Sequence, residues 1–140
     1  MREIKFRGKS DDDWVYGHLL KVDEWHQAEH EHFDYFIQTD NIKYEEYECW
    51  YITNNNTIGQ YTGLKDKNGV EIYEGDIVKE DGYYGNGSIF PVVKKIQWKE
   101  SYSCWLRGEY ERLTPKNIKK YNIEVIGNIY DNPELLEKEE

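Results

Sequence analysis

Asp66-Lys67-Asn68-Gly69-Val70-Glu71-Ile72-Tyr73-Glu74-Gly75-Asp76-Ile77-Val78 alternates corners with short apolar pairs, and its reading decides the fold. Asn-Gly supplies the two positive-φ positions of a type I′ turn, so Asn68-Gly69 predicts a hairpin. Glu74-Gly75 sets a second corner, and the pairs Ile72-Tyr73 and Ile77-Val78 supply core residues on either side of it. A tight turn that runs straight into two buried branched residues is also how many SH3-like barrels begin a strand. The stretch therefore reads as closely spaced strands.

Outward from it, β-branched and aromatic residues alternate with polar ones over short runs closed by Gly, Asn or Asp. The pattern predicts strands at 3–7, 14–22, 33–39, 47–53, 71–73, 76–80, 92–99, 103–107 and 124–130. Asp11-Asp12-Asp13 reads as the turn of a first hairpin, because short acidic side chains hydrogen-bond their own backbone. The segment 82–87, with Gly82, Gly85 and Gly87, reads as the most flexible loop. Thr114-Pro115 followed by Lys116, Lys119 and Lys120 predicts one short helix with a hydroxyl cap, an N1 proline and basic residues toward its end. Asn132-Pro133 predicts a last helical turn leading into an acidic tail over about 134–140. The polar segment 23–32 reads either as a helix or as an ordered insertion. The expected fold is thus mainly β, a β-rich α+β chain forming one small domain over 1–140, with SH3-like or barrel-like strands and one or two short helices. Its expected core is Ile4, Phe6, Val15, Leu19, Phe36, Ile52, Ile72, Ile77, Val78, Val93, Ile96, Val125 and Ile129.

The chain has 140 residues, and folding at that size hides about 68–70% of the surface, enough for one core. Its 28 Asp and Glu outweigh 18 Lys and Arg, a net charge of −10. A nonspecific polyanion binder carries the opposite surplus, so nucleic acid is a disfavoured partner. Only 38% of residues are hydrophobic, yet 13 are Tyr and 5 are Trp, which argues against disorder and for a core of large rings. The N-terminal residues offer no apolar run of signal-peptide or membrane-span length, so the reading is a cytoplasmic protein with no membrane partner. Two cysteines, Cys49 and Cys104, read as reduced, buried thiols.

Residues able to carry chemistry are few. His26, His30 and His32 beside Glu24, Glu29 and Glu31 have the donor types for a divalent transition metal. The segment is not His-Glu-x-x-His and lacks a nearby cysteine, so it reads as a solvated surface that binds no metal. Asp66 to Glu71 superficially resembles a calcium loop, but the glycine comes too early. Gly85-Asn86-Gly87 precedes no helix that would present its N-terminus to a phosphate. Cys49 and Cys104 each sit in a strand pattern with no histidine in the neighbouring ten residues. No catalytic, cofactor-binding or metal-binding residue is therefore assigned, and the expectation is a protein that is not an enzyme and uses no cofactor. Gln60-Tyr61-Thr62-Gly63-Leu64-Lys65 stands out as a polar and aromatic cluster beside turns, of the kind a binding surface has.

Extended to Ile58-Gly59-Gln60-Tyr61-Thr62-Gly63-Leu64-Lys65 and on to Val78, the opening stretch resembles the signature of the YopX family of phage and prophage proteins. Arg2-Glu3-Ile4-Lys5-Phe6-Arg7 resembles the family's first strand, and the block from Ile123 to Leu136 its closing segment. The resemblance implies a small β-rich protein of phages and prophages with no established activity, and it lends no catalytic residue. Four functions compete with different support. A non-enzymatic homo-oligomer that binds a host or phage protein uses the aromatic excess. A nucleic-acid accessory protein would need Lys94, Lys95, Lys99, Lys116, Lys119 and Lys120 on one face, while an acidic DNA mimic that acts on a host DNA-binding protein uses the net charge. A metal-dependent enzyme is the weakest reading.

Overall fold

The computed structural model describes residues 2–21, 35–39 and 50–137. These form strands β1 (Phe6–Ser10), β2 (Asp13–Lys21), β3 (Tyr35–Gln38), β4 (Trp50–Ile52), β5 (Gly59–Lys65), β6 (Glu71–Tyr73), β7 (Asp76–Tyr83), β8 (Ile89–Lys99), β9 (Cys104–Arg107), β10 (Glu111–Arg112) and β11 (Glu124–Asn128). One α-helix, α1 (Pro115–Lys120), and short 3-10 turns complete them. The protein is mainly β, as the alternation predicts. No helix among the described residues is long and apolar enough to cross a membrane. The residues cluster into two compact units, Met1–Tyr61 and Thr62–Glu140, with the residues of β5 divided between them.

In the first unit the order is β4-β3-β2-β1, and the start of β5 pairs with β1 through Phe6↔Gln60 and Arg7↔Gly59. The β1–β2 hairpin runs from Phe6↔Gly17 to Ser10↔Asp13. Asp11 takes φ 55°, a left-handed conformation that a short acidic side chain tolerates. Because Asp13 already pairs, β1 lies three residues later than expected and Ile4 is 60% exposed instead of in the core. Ile37 and Thr53 are fully buried, and Gly8 sits so close that a Cβ there would be 3.1 Å from the Thr53 methyl and 3.3 Å from Ile37 Cδ1. The buried Arg7 lays its guanidinium 4.6 Å from the centre of the Trp14 ring.

In the second unit β5 continues beside β6, and a five-stranded antiparallel sheet has the order β10-β9-β8-β7-β11. Its core gathers Ile72, Val78, Ile96, Leu113, Ile118 and Ile123, with Trp105, Tyr121 and Val125 packed against them. Helix α1 starts as predicted: Thr114 Oγ1 accepts from Asn117 N at 3.1 Å, Pro115 holds the first turn, and Ile118 points inward. A register shift between Val125 and Gly127 turns Ile126 outward. Strand β11 stops at Asn128, short of the expected Tyr130, because the Asn128 side chain accepts from the N–H groups of both Tyr130 and Asp131. Pro133–Leu136 is a 3-10 turn.

Two expectations in this unit are corrected. The 66–69 corner is not a type I′ turn: only Gly69 has positive φ, at 83°, because Asp66 Oδ1 accepts from Asn68 N and fixes that residue in the ordinary region. Gln60 to Lys65, expected as a polar and aromatic cluster of the kind a binding surface has, lies in strand β5, with Tyr61 and Thr62 buried and Thr62 Oγ1 donating to Ile72 O at 2.7 Å. The glycine-rich segment closes the β7–β8 hairpin with the same bonds as the 66–70 corner, Gly87 N to Tyr84 O and Tyr84 N to Ser88 O, both at 2.9 Å.

Candidate functional site

Three polar residues of the 58–78 stretch, Thr62, Asp66 and Asp76, turn inward and hold backbone. Asp66 uses both carboxylate oxygens: Oδ1 accepts from Asn68 N and Val70 N at 2.8 and 3.0 Å, and Oδ2 accepts from Val125 N at 2.9 Å. One buried side chain thereby closes the β5–β6 turn and anchors β11. Asp76, 2% exposed, accepts from Tyr73 N at 2.7 Å and closes the next corner. Gly75 has φ 89°, donates to Ile96 O and accepts from Ile129 N, and a Cβ there would lie 3.3 Å from the Tyr130 ring. Burial raises the Glu74 carboxyl above its usual range beside this corner.

A second constellation lies on β7, β8, β9 and β10. Glu80 and Arg107 are 3% and 2% exposed, and Arg107 Nε donates to Glu80 Oε2 at 2.9 Å. Lys94 Nζ stands 2.8 Å from Glu80 Oε1, a close charge contact without hydrogen-bond alignment. Lys94 Nζ and Arg107 Nη2 then both reach one further oxygen, Glu111 Oε2, at 3.0 and 2.8 Å. Arg107 Nη1 donates to Arg112 O at 3.0 Å, and its guanidinium lies 4.7 Å from the centre of the Tyr121 ring. Two cations and two carboxylates thus balance across four strands. Lys94, Arg107 and Glu111 border a groove of about 530 Å³ whose lining also includes Val92, Gly108, Tyr110 and Leu136.

The two carboxylates differ in how they are held. Burial pushes the Glu111 carboxyl up, but the Lys94 hydrogen bond and the Lys94 and Arg107 charges outweigh it, leaving its pKa lowered. A group whose pKa falls on folding adds stability above its unfolded value, and that stability is lost as pH drops through the folded value. Glu111 is 53% exposed, so solvent limits the effect to about 1 kcal/mol or less. Chemical denaturation of wild type and Glu111→Gln should differ most above pH of about 5, and the difference should fade below pH of about 4, since free glutamate titrates near 4.3.

The sequence-selected residues are dispersed. His26, His30, His32, Glu24, Glu29, Glu31 and Cys49 lie outside the described residues. Cys104 is a half-buried free thiol on β9. Of the six lysines, Lys94 is committed to Glu80 and Glu111, Lys95 also lines the groove, Lys99 lies at the end of β8, and Lys116, Lys119 and Lys120 ride on α1. The charge network escaped sequence reading, although Glu80 and Arg107 each follow a buried-side residue, Val78 and Trp105, at the strand spacing of two.

Exposed aromatics mark both ends of β8. At one end Tyr83, Tyr84 and Ile89 are 47%, 58% and 58% exposed, with Tyr84 against Phe90 at 4.5 Å. At the other, Trp98 packs edge-on against Trp105 at 5.1 Å across the β8–β9 pair while staying 40% exposed, and Lys99 sits over the exposed Tyr102.

A family model described as YopX protein matches residues 5–137. The crystal structure of protein EF1440 from Enterococcus faecalis is similar with a TM-score of 0.59 and 25% identity, covering 97% of this chain and 99% of that one. Comparison with curated proteins gives no significant match.

Proposed function

Because the chain belongs to the YopX family, we propose that it is a non-enzymatic, homo-oligomeric binding module, encoded by a phage or prophage, that engages a host or phage protein in the cytoplasm. The observation that carries this reading is the pair of exposed aromatic ends on β8, above all Trp98, held in place by Trp105 yet open to solvent. Large rings that are both fixed and exposed lose little conformational freedom on association, and Tyr and Trp are enriched where surfaces adhere. The polar residues of the family signature support the same reading, since Asp66, Thr62 and Asp76 are bonded to backbone groups of the fold itself.

Light scattering coupled to size exclusion at micromolar concentration tests it. The expected mass is a multiple of 16.9 kDa. The double variant Trp98→Ser, Tyr102→Ser should shift toward one chain, because both side chains are exposed and neither belongs to the buried core. A wild-type mass of a single chain at that concentration overturns the oligomeric reading.

A further inference from the structure

We propose that the groove beside β8 is a carboxylate-binding site, and that Glu111 occupies its inner end as a stand-in for the ligand. The proposal concerns a different surface from the aromatic ends of β8 and does not depend on oligomerisation. Lys94 Nζ and Arg107 Nη2 converge on a single oxygen, Glu111 Oε2, at 3.0 and 2.8 Å. That arrangement is a receptor for an anionic oxygen: two charged donors, one of them 2% exposed, aimed at one point.

The two carboxylates that balance these cations have unequal standing. Glu80 is 3% exposed on the eight-residue β7 and belongs to the interior. Glu111 reaches in from the rim, 53% exposed, on the two-residue edge strand β10, which pairs with β9 only through Glu111↔Arg107 and Arg112↔Leu106. Withdrawing Glu111 leaves Arg107 and Lys94 facing Glu80 alone, a net charge of +1 at the end of an open groove. Another carboxylate restores the balance there without moving any buried group.

The groove also specifies what adjoins that carboxylate. Its volume of about 530 Å³ falls within the range of small-molecule and short-peptide sites. Beyond the cations its wall includes Val92, Tyr110 and Leu136. The ligand class is therefore a carboxylate with a neighbouring apolar group, whether a free chain terminus or an acidic side chain.

Calorimetric titration of the full chain with three probes tests the site: N-acetyl-leucine, with a terminal carboxylate; N-acetyl-glutamic acid α-amide, with a side-chain carboxylate; and N-acetyl-leucinamide, with none. If Glu111 holds the cations about nine-tenths of the time, its removal raises apparent affinity about tenfold. Glu111→Gln, with Glu111→Ala in parallel, should therefore bind a carboxylate probe about tenfold more tightly than wild type. Lys94→Met added to Glu111→Gln should abolish binding. Glu109→Gln, which removes the same charge from another residue of the groove lining, should leave the wild-type affinity nearly unchanged. Which acid binds better identifies the source of the carboxylate. The proposal fails if neither Glu111 variant binds either acid, if the amide binds as well as the acids, or if Glu109→Gln gains as much as Glu111→Gln.

Discussion

Replacing Arg107 with methionine is expected to destabilise the protein by about 3–5 kcal/mol, the cost of leaving a buried charge without its partner. The guanidinium has four attachments: Glu80, Glu111, the carbonyl of Arg112 and the face of Tyr121. Methionine replaces its packing but none of its donors. Glu80 remains 3% exposed with only Lys94 beside it, and the Arg112 carbonyl keeps Asn117 Nδ2 but loses its charged donor, so β10 loosens as well. Urea denaturation should show the midpoint falling with little change in slope, the sign of lost stability at constant exposed surface. The double variant Glu80→Leu, Arg107→Met separates charge from shape. It removes both buried partners and leaves Lys94 with Glu111, so it should recover more than half of the loss. A single-variant loss below about 1 kcal/mol, the range of exposed pairs, would show that the network does not hold the sheet.

That network also shows where sequence reading stops. Strand alternation identified Ile72, Ile77, Val78 and Ile96 as core, and all four are buried. It placed β6 at its observed ends and the cap of α1 at Thr114. The same rule, applied without regard to polarity, would have put Glu80 and Arg107 inside, because each continues the buried face of its strand. A charged residue on that face looks like a strand end until its partner is known, and the partners stand 27 residues apart. Strand β5 was missed for a related reason: Gly59 and Gly63 weaken the strand signal, and the Thr62 hydroxyl is satisfied inside by the Ile72 carbonyl and the Leu64 N–H. Strand β10 has two exposed charged residues and no apolar pattern at all. The resemblance to the family was legible from the 58–78 stretch, and the structure gives that stretch a physical meaning as a set of backbone anchors.

Substituting Asp66 tests that meaning with the second large effect. Its carboxylate accepts three backbone N–H groups, two within the turn and one from Val125, 59 residues away. Hydrogen bonds to a charged group contribute about 1.5–3 kcal/mol each, but Asn68 and Val70 are exposed and water replaces part of their bonds, so Asp66→Ala should cost about 3–4 kcal/mol. Asp66→Asn discriminates between mechanisms. Asparagine keeps the shape and one acceptor oxygen, but its amide nitrogen carries only donors. Whichever way it sits, an N–H of the side chain faces an N–H of the backbone: Val125 in one orientation, Asn68 and Val70 in the other. Asn should therefore recover less than half of the alanine loss, and hydrogen exchange should accelerate at Val125 or at the Asn68 and Val70 pair according to the orientation taken. If Asp66 served only to favour a turn, asparagine, a turn residue in its own right, would be nearly neutral. A stability of Asp66→Asn within about 0.5 kcal/mol of wild type, the range of ordinary surface substitutions, would remove the anchoring role.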